Sequence, residues 1–165
     1  MKYRINANYS KAFVIAQSTQ ELKGMCPGIE GELVGTLADL FKTGTATMKL
    51  DVRRFASNDK LRDFAIRTHV DVARHSFAEL TQIKIISATQ AENDIALLWE
   101  GTFKYRLKTP KVQGEARLRQ DNGRLYLDAS FTLQLKDVNL DVPRMIILKS
   151  ESIRVEAKLE AIPIQ

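Results

Sequence analysis

The chain has 165 residues, 44% of them hydrophobic and 27% charged, with 25 Lys and Arg against 20 Asp and Glu for a net charge of +5. That is an ordinary globular composition and length, which excludes a disordered, collagenous or low-complexity chain and predicts one domain over 1–165. A single cysteine, Cys26, excludes an internal disulfide and a zinc site built on several thiolates. The charge excess is even along the sequence, +3 over residues 1–82 and +2 over residues 83–165. No stretch approaches the ~18 apolar residues of a membrane span, so no transmembrane segment is expected. The start, Met1-Lys2-Tyr3-Arg4-Ile5-Asn6, lacks the apolar run of a signal peptide. As written the chain is expected to be cytoplasmic. A mature periplasmic chain to which Met1 had been added would begin the same way.

Residues 9–17 are apolar on both parities and read as a strand whose inner face is undecided. Gly24, Pro27, Gly28, Gly31 and Gly35 predict a flexible loop crossing between the first two strands, with Cys26 inside it. No base or helix N-terminus is apparent to activate that thiol. Residues 46–52 alternate through Ala46, Met48, Leu50 and Val52. Ser57 to Ile66 reads as a short helix capped by Ser57 or Asn58, with Leu61, Phe64 and Ala65 on one apolar side. A short alternation near 82–88 carries Ile83 and Ile85.

Residues 95–108 are a longer case, with Ile95, Leu97, Trp99, Gly101, Phe103, Tyr105 and Leu107 on one face and charged or polar residues on the other. A weaker strand follows at 112–119, with Gly114 inside it. Gln120-Asp121-Asn122-Gly123 is a hairpin signal, because Asn-Gly accepts positive φ. Glu92-Asn93-Asp94 and Lys108-Thr109-Pro110-Lys111 mark two further turns. Residues 123–135 place Leu125, Leu127, Ala129, Phe131, Leu133 and Leu135 on one parity, and 153–161 do the same with Ile153, Val155, Ala157 and Leu159. Tight turns between long strands imply an antiparallel sheet. Seven or eight strands with one helix suggest a closed barrel or a sandwich, and long strands make a tall barrel with room for an elongated cavity.

These runs resemble the YceI-like proteins, lipocalin-like antiparallel barrels that bind polyisoprenoid or other long-chain lipids. The likeness runs from about Tyr3 to Ala161. It rests on Tyr9-Ser10-Lys11-Ala12-Phe13-Val14, on Ala46 to Asp51 leading through Phe55 and Ser57 to Arg62-Asp63, and on Val70-Asp71-Val72-Ala73-Arg74-His75-Ser76. Gly101 to Thr109, Asp137-Val138-Asn139-Leu140 and the strand Ile153 to Ala161 complete it. The family's His after Arg-Asp is absent, its Tyr-Pro has become His75-Ser76, and its turn Gly has become Leu107. The resemblance implies an all-β, extended eight-stranded lipocalin-like β-barrel with one short helix. It also implies a long-chain lipid or isoprenoid ligand, a transport or reservoir role, no cofactor, and in many members a homodimer.

The inward parity then names the candidate ligand-binding residues: Met48, Leu50, Ile83, Ile85, Leu97, Trp99, Phe103, Tyr105, Leu127, Phe131, Leu133 and Val155. The same pattern fits a filled core, in which Ala46, Ala129 and Ala157 interdigitate with Trp99 and Phe131 and the protein is a structural or partner-binding module. Asp59, Arg62, Asp63, His69 and His75 are the one dense polar cluster. Read as chemistry, Asp63 would orient His69 as a base, but no nucleophile or oxyanion loop accompanies them. A capped helix with a structural Arg62–Asp63 turn explains them without catalysis or metal, so no enzyme is expected. Lys104, Arg106, Lys108, Lys111, Arg117 and Arg119 form a basic stripe, read as a solvated outer face or, alternatively, a contact for an anionic head group or membrane surface. Few aromatics interleave with it, so nucleic acid is not expected.

Overall fold

The computed structural model describes residues 2–17, 21–35, 45–140 and 151–164. Among these, the strands are β1 (Lys2–Ile5), β2 (Lys11–Gln17), β3 (Glu21–Pro27), β4 (Glu30–Val34), β5 (Thr45–Asp51), β6 (Phe77–Gln90), β7 (Ile95–Lys104), β8 (Lys111–Asp121), β9 (Arg124–Gln134) and β10 (Ser152–Ile164). One helix, α1 (Lys60–Val70), lies between β5 and β6. All pairings are antiparallel in the order β1-β4-β5-β6-β7-β8-β9-β10, and β10 pairs back onto β1. β1 and β2 lie end to end along β10, with Lys2–Ile5 opposite Ile164–Ala161 and Lys11–Ala16 opposite Lys158–Ile153. β4 and β3 lie end to end beside them. Counted this way the sheet is a closed eight-stranded barrel, the architecture expected from the resemblance.

The glycine-rich stretch is therefore not a loop. Leu22, Gly24 and Cys26 continue the period of two through β3, and Gly28, at φ 81°, makes the step into β4. Ser10 holds both breaks together from a buried position. Its hydroxyl donates to the Glu160 carbonyl at 3.5 Å and accepts from the Glu160 N–H at 3.1 Å. Its own carbonyl accepts from Gly28 and Ile29. The undecided face of residues 9–17 is also settled: Val14 and Ala16 face the interior, while Phe13 lies outside under Lys11 and Lys23.

The hairpin at 120–123 forms as expected, with Asn122 and Gly123 at φ 51° and 79°. β6 is longer than the short run near 82–88 because its register slips twice, between Thr81 and Lys84 and between Ile85 and Ser87. These bulges interrupt the alternation that marks a strand in sequence. β7 ends at Lys104. The chain then turns at Arg106 and Leu107, both at positive φ, so the inward parity does not extend to Leu107, which is 92% exposed.

α1 starts later than expected. Its cap is Asp59, not Ser57 or Asn58, and the Asp59 carboxylate accepts the Arg62 N–H at 3.0 Å. Its faces are also reversed. Leu61 and Phe64 are 74% and 63% exposed, while Asp63 is buried and Ile66 and Val70 point at the barrel. The reason is Asp63. Its carboxylate accepts the Ser57 N–H at 2.8 Å and the Ser57 hydroxyl, which holds that side of the helix inward. A buried carboxylate is tolerated only when its oxygens are bonded in this way.

Candidate functional site

The barrel is not filled. Its helix end holds a chamber of about 230 Å³, and below it lies a narrower one of about 90 Å³. The larger volume far exceeds the ~10–15 Å³ that one water occupies on this measure. Strands from all round the barrel meet in the upper chamber, among them Ala16 of β2, Leu22 of β3, Leu50 of β5, Phe103 of β7, Leu133 of β9 and Ile153 of β10. Ile66 and Val70 of α1 line the same space, so the helix lies across that end as a roof.

The structure places all twelve residues singled out from the sequence on these walls. Leu50, Phe103, Tyr105 and Leu133 border the upper chamber. Met48, Ile83, Ile85, Leu97, Trp99, Leu127 and Phe131 border the lower one, and Val155 borders both. Several, including Met48, Phe103 and Phe131, are only half-buried although they face inward, because they look onto empty space. The small residues Ala46, Ala129 and Ala157 line the lower chamber together with Trp99 and Phe131, and that chamber is the smaller of the two.

An aromatic cluster stands where the chambers adjoin. Phe131 meets Trp99 edge-on at 5.7 Å between ring centres and meets Phe103 at the same distance, tilted. Trp99 is fixed by donating its indole N–H to the Glu115 carbonyl at 3.1 Å. Gly114 is what leaves room for the ring, since a Cβ there would lie 2.6 Å from the indole.

Sequence reading missed the walls supplied by Leu22, Gly24 and Cys26 of β3 and by Phe55, Ile66, Val70, Val138 and Leu140. The period-two spacing of Leu22, Gly24 and Cys26 was the available signal, and the glycines hid it. Ile66 and Val70 stand four residues apart, on one helix face.

Polarity is graded along the interior. Among the described residues that line the lower chamber, only Thr45 and the Trp99 indole carry polar side-chain atoms. The upper chamber has Ser57, Arg62 and Arg67 on its walls. Arg67 donates to the Phe55 carbonyl at 2.6 Å, and Arg62 donates to the Ser57 hydroxyl at 3.0 Å. The polar cluster is thus a capped helix. Asp63 is bonded to Ser57 rather than His69, which is exposed, and His75 lies edge-on to Tyr105. No group of three or more His, Cys, Asp or Glu gathers as a metal site among the described residues.

Burial pushes the Cys26 thiol up to about 12, and Asp51 adds to the effect. Burial likewise pushes the Tyr105 phenol up to about 12, and Tyr105 donates to the His75 carbonyl at 2.9 Å. Both groups hold their protons more tightly folded than unfolded. Their contribution to stability is complete below the ordinary thiol value of 9.0 and is lost as pH climbs through about 12. We expect denaturant midpoints to fall across that alkaline window, and a Cys26→Ser, Tyr105→Phe protein to show a shallower fall. An equally steep fall in that protein would assign the alkaline loss to other groups.

The basic stripe is exposed except for the half-buried Arg106, and it divides. Arg117 and Arg119 pair with Asp94 and Asp121 at 3.1 and 3.7 Å on the flank. Lys104, Arg106, Lys108 and Lys111 cluster at the helix end. No helix among the described residues is long and apolar enough to cross a membrane.

No protein-family model matches the sequence, and no curated protein is similar to it in sequence. Solved structures are similar in fold. BcnA of Burkholderia cenocepacia superposes with a TM-score of 0.76 over 94% of this chain and 98% of its own, at 16% identity. A polyisoprenoid binding domain from Saccharophagus degradans, implicated in plant cell wall breakdown, gives 0.74 over 98% of both chains at 12% identity. A mutant CJ YCEI protein gives 0.63 over 86% and 85% at 10% identity. The chain has the YceI-type fold. The YceI-type barrel here is the one outlined above, with its helix roof and its aromatic cluster between two chambers.

Proposed function

We propose that this chain is a YceI-like lipid-binding barrel, a carrier or reservoir and not an enzyme. The observation that supports this reading most directly is the apolar upper chamber. It is roofed by α1, edged by Arg62 and Arg67, and adjoins a second chamber almost free of polar groups. An isoprenoid or fatty-acyl chain fits such an interior, tail toward Trp99 and Phe131, with a polar or anionic head near the two arginines. The twelve wall residues named above are the proposed contacts. Burying ten methylenes contributes about 8 kcal/mol at roughly 0.8 per group, enough for micromolar affinity before ordering costs are counted. The polyisoprenoid binding of the Saccharophagus domain, which shares the fold, agrees with this choice of ligand class.

Two measurements test it. Solvent extraction of the purified protein followed by mass spectrometry should release a stoichiometric long-chain lipid. Titration of delipidated protein with a long-chain isoprenoid alcohol should shift Trp99 emission saturably, because Trp99 is the single tryptophan and borders the lower chamber. Emission that stays flat for every chain length, with nothing extracted, would overturn the reading.

A further inference from the structure

The helix end carries a surface that the chambers do not explain. Leu61 and Phe64, with Thr68, lie on the side of α1 opposite Asp63, Ile66 and Val70, so they project away from the chamber. Leu107 projects at the same end, because Tyr105 ties the β7–β8 turn to the segment that follows α1 through its bond to His75. Leu107 is 92% exposed and sits at φ 65°. That conformation is costly for a leucine. At the opposite end the β8–β9 turn, also with two residues at positive φ, is built from Asn122 and Gly123, which accept it readily. A strained leucine held in water gains nothing from packing within this chain.

Charge is divided in the same way. At the helix end, segments 52–76 and 104–111 hold ten Lys and Arg against three Asp, while the neighbouring described residues add Lys136 against Glu21, Asp137 and Glu151. The turns 91–94 and 120–124 at the opposite end hold three acidic residues and one Arg. Lys60, Lys104, Arg106, Lys108 and Lys111 make no ion pair among the described residues. Apolar tips ringed by unpaired cations complement an anionic bilayer, where the tips enter the interface and the cations meet head groups.

We propose that the helix end docks on the surface of an anionic lipid bilayer, with Leu61, Phe64 and Leu107 inserted and the surrounding lysines and arginines on the head groups. The surface is independent of what the chambers hold. Docked, it would bring α1 and the upper chamber against the membrane.

The test is co-sedimentation of the whole chain with vesicles of phosphatidylcholine alone or mixed with phosphatidylglycerol. The expected result is binding to the mixed vesicles only, weakened by salt. A Leu61→Ser, Phe64→Ser double variant should weaken that binding on the order of tenfold. Leu107→Asn should also weaken it while melting at or above wild type, because Asn relieves the turn. Leu98→Ser, which removes an exposed apolar side chain on the barrel flank, should leave it unchanged. Absence of binding, equal binding to both vesicles, or no loss in the helix-end variants would overturn the proposal. A wild-type dimer in sedimentation velocity that the double variant turns to monomer, with vesicle binding unchanged, would assign the surface to a second copy and overturn it as well.

Discussion

Phe131→Asp is expected to abolish the folded state. Phe131 lies in the middle of β9, paired to Val155 on one side and Gly114 on the other, with its ring between Trp99 and Phe103. Among the described residues no cation borders the lower chamber, so a carboxylate there would have no partner charge. Burying such a charge costs several kcal/mol, a large share of the ~5–15 kcal/mol that holds a domain together. Phe131→Ala is a milder change. A packed core loses about 3–5 kcal/mol on Phe→Ala, but one side of this ring already faces empty space, so about 2 kcal/mol is expected. The same change would widen the space between the chambers, and under the proposed function it should shift preference toward longer or bulkier chains. Urea melts of both variants, with and without lipid, check these figures. A Phe131→Asp protein as stable as wild type would show that Phe131 does not face the interior.

Gly114→Ala should be a strongly damaging methyl addition. The new Cβ would stand 2.1 Å from the Ser130 carbonyl oxygen and 2.6 Å from the Trp99 ring. Neither can give way cheaply. Ser130 belongs to the β8–β9 ladder, and Trp99 is held by its bond to Glu115. Overpacking of this kind costs about 3 kcal/mol when backbone must move. The near-ultraviolet signal of Trp99 should change along with the melting midpoint. A wild-type midpoint with an unchanged tryptophan signal would mean that the β7–β8–β9 contact is looser than described.

What the sequence made legible follows from the physics of alternation. β7, β9 and β10 bury one face and expose the other, so their side chains print a clean period of two. β3 obeys the same period, but its inner positions include Gly24, left bare so that the Phe55 ring can lie on it, and glycine reads as loop. α1 misleads for a different reason. Asp63 is buried through bonds to Ser57, which a pattern of hydrophobic residues cannot show, and the leucine and phenylalanine that look like its inner face point outward. Periodicity also reports direction and not volume. Ala46, Ala129 and Ala157 fit a filled core as well as a hollow one, and only the packing of Trp99 against Gly114 and Phe131 decides how much space remains. The charge tally misled similarly. It is even along the chain and uneven in space, since distant segments meet at one end of the barrel.

The seam between β1–β2 and β10 sets an order of assembly. From β5 to β10 each strand pairs with the next in the chain, so those hairpins form from local contacts. The Ser10–Glu160 bonds instead join residues 150 apart in sequence. The entropy of closing so long a loop must be met before any of those bonds forms, which makes ring closure the late and slow event of folding. Until then the open edge of β10 is a template for any other strand, including that of a second chain. Refolding at high protein concentration is where that exposure is felt, and Ser10, which no pattern of alternation singles out, is the residue that ends it.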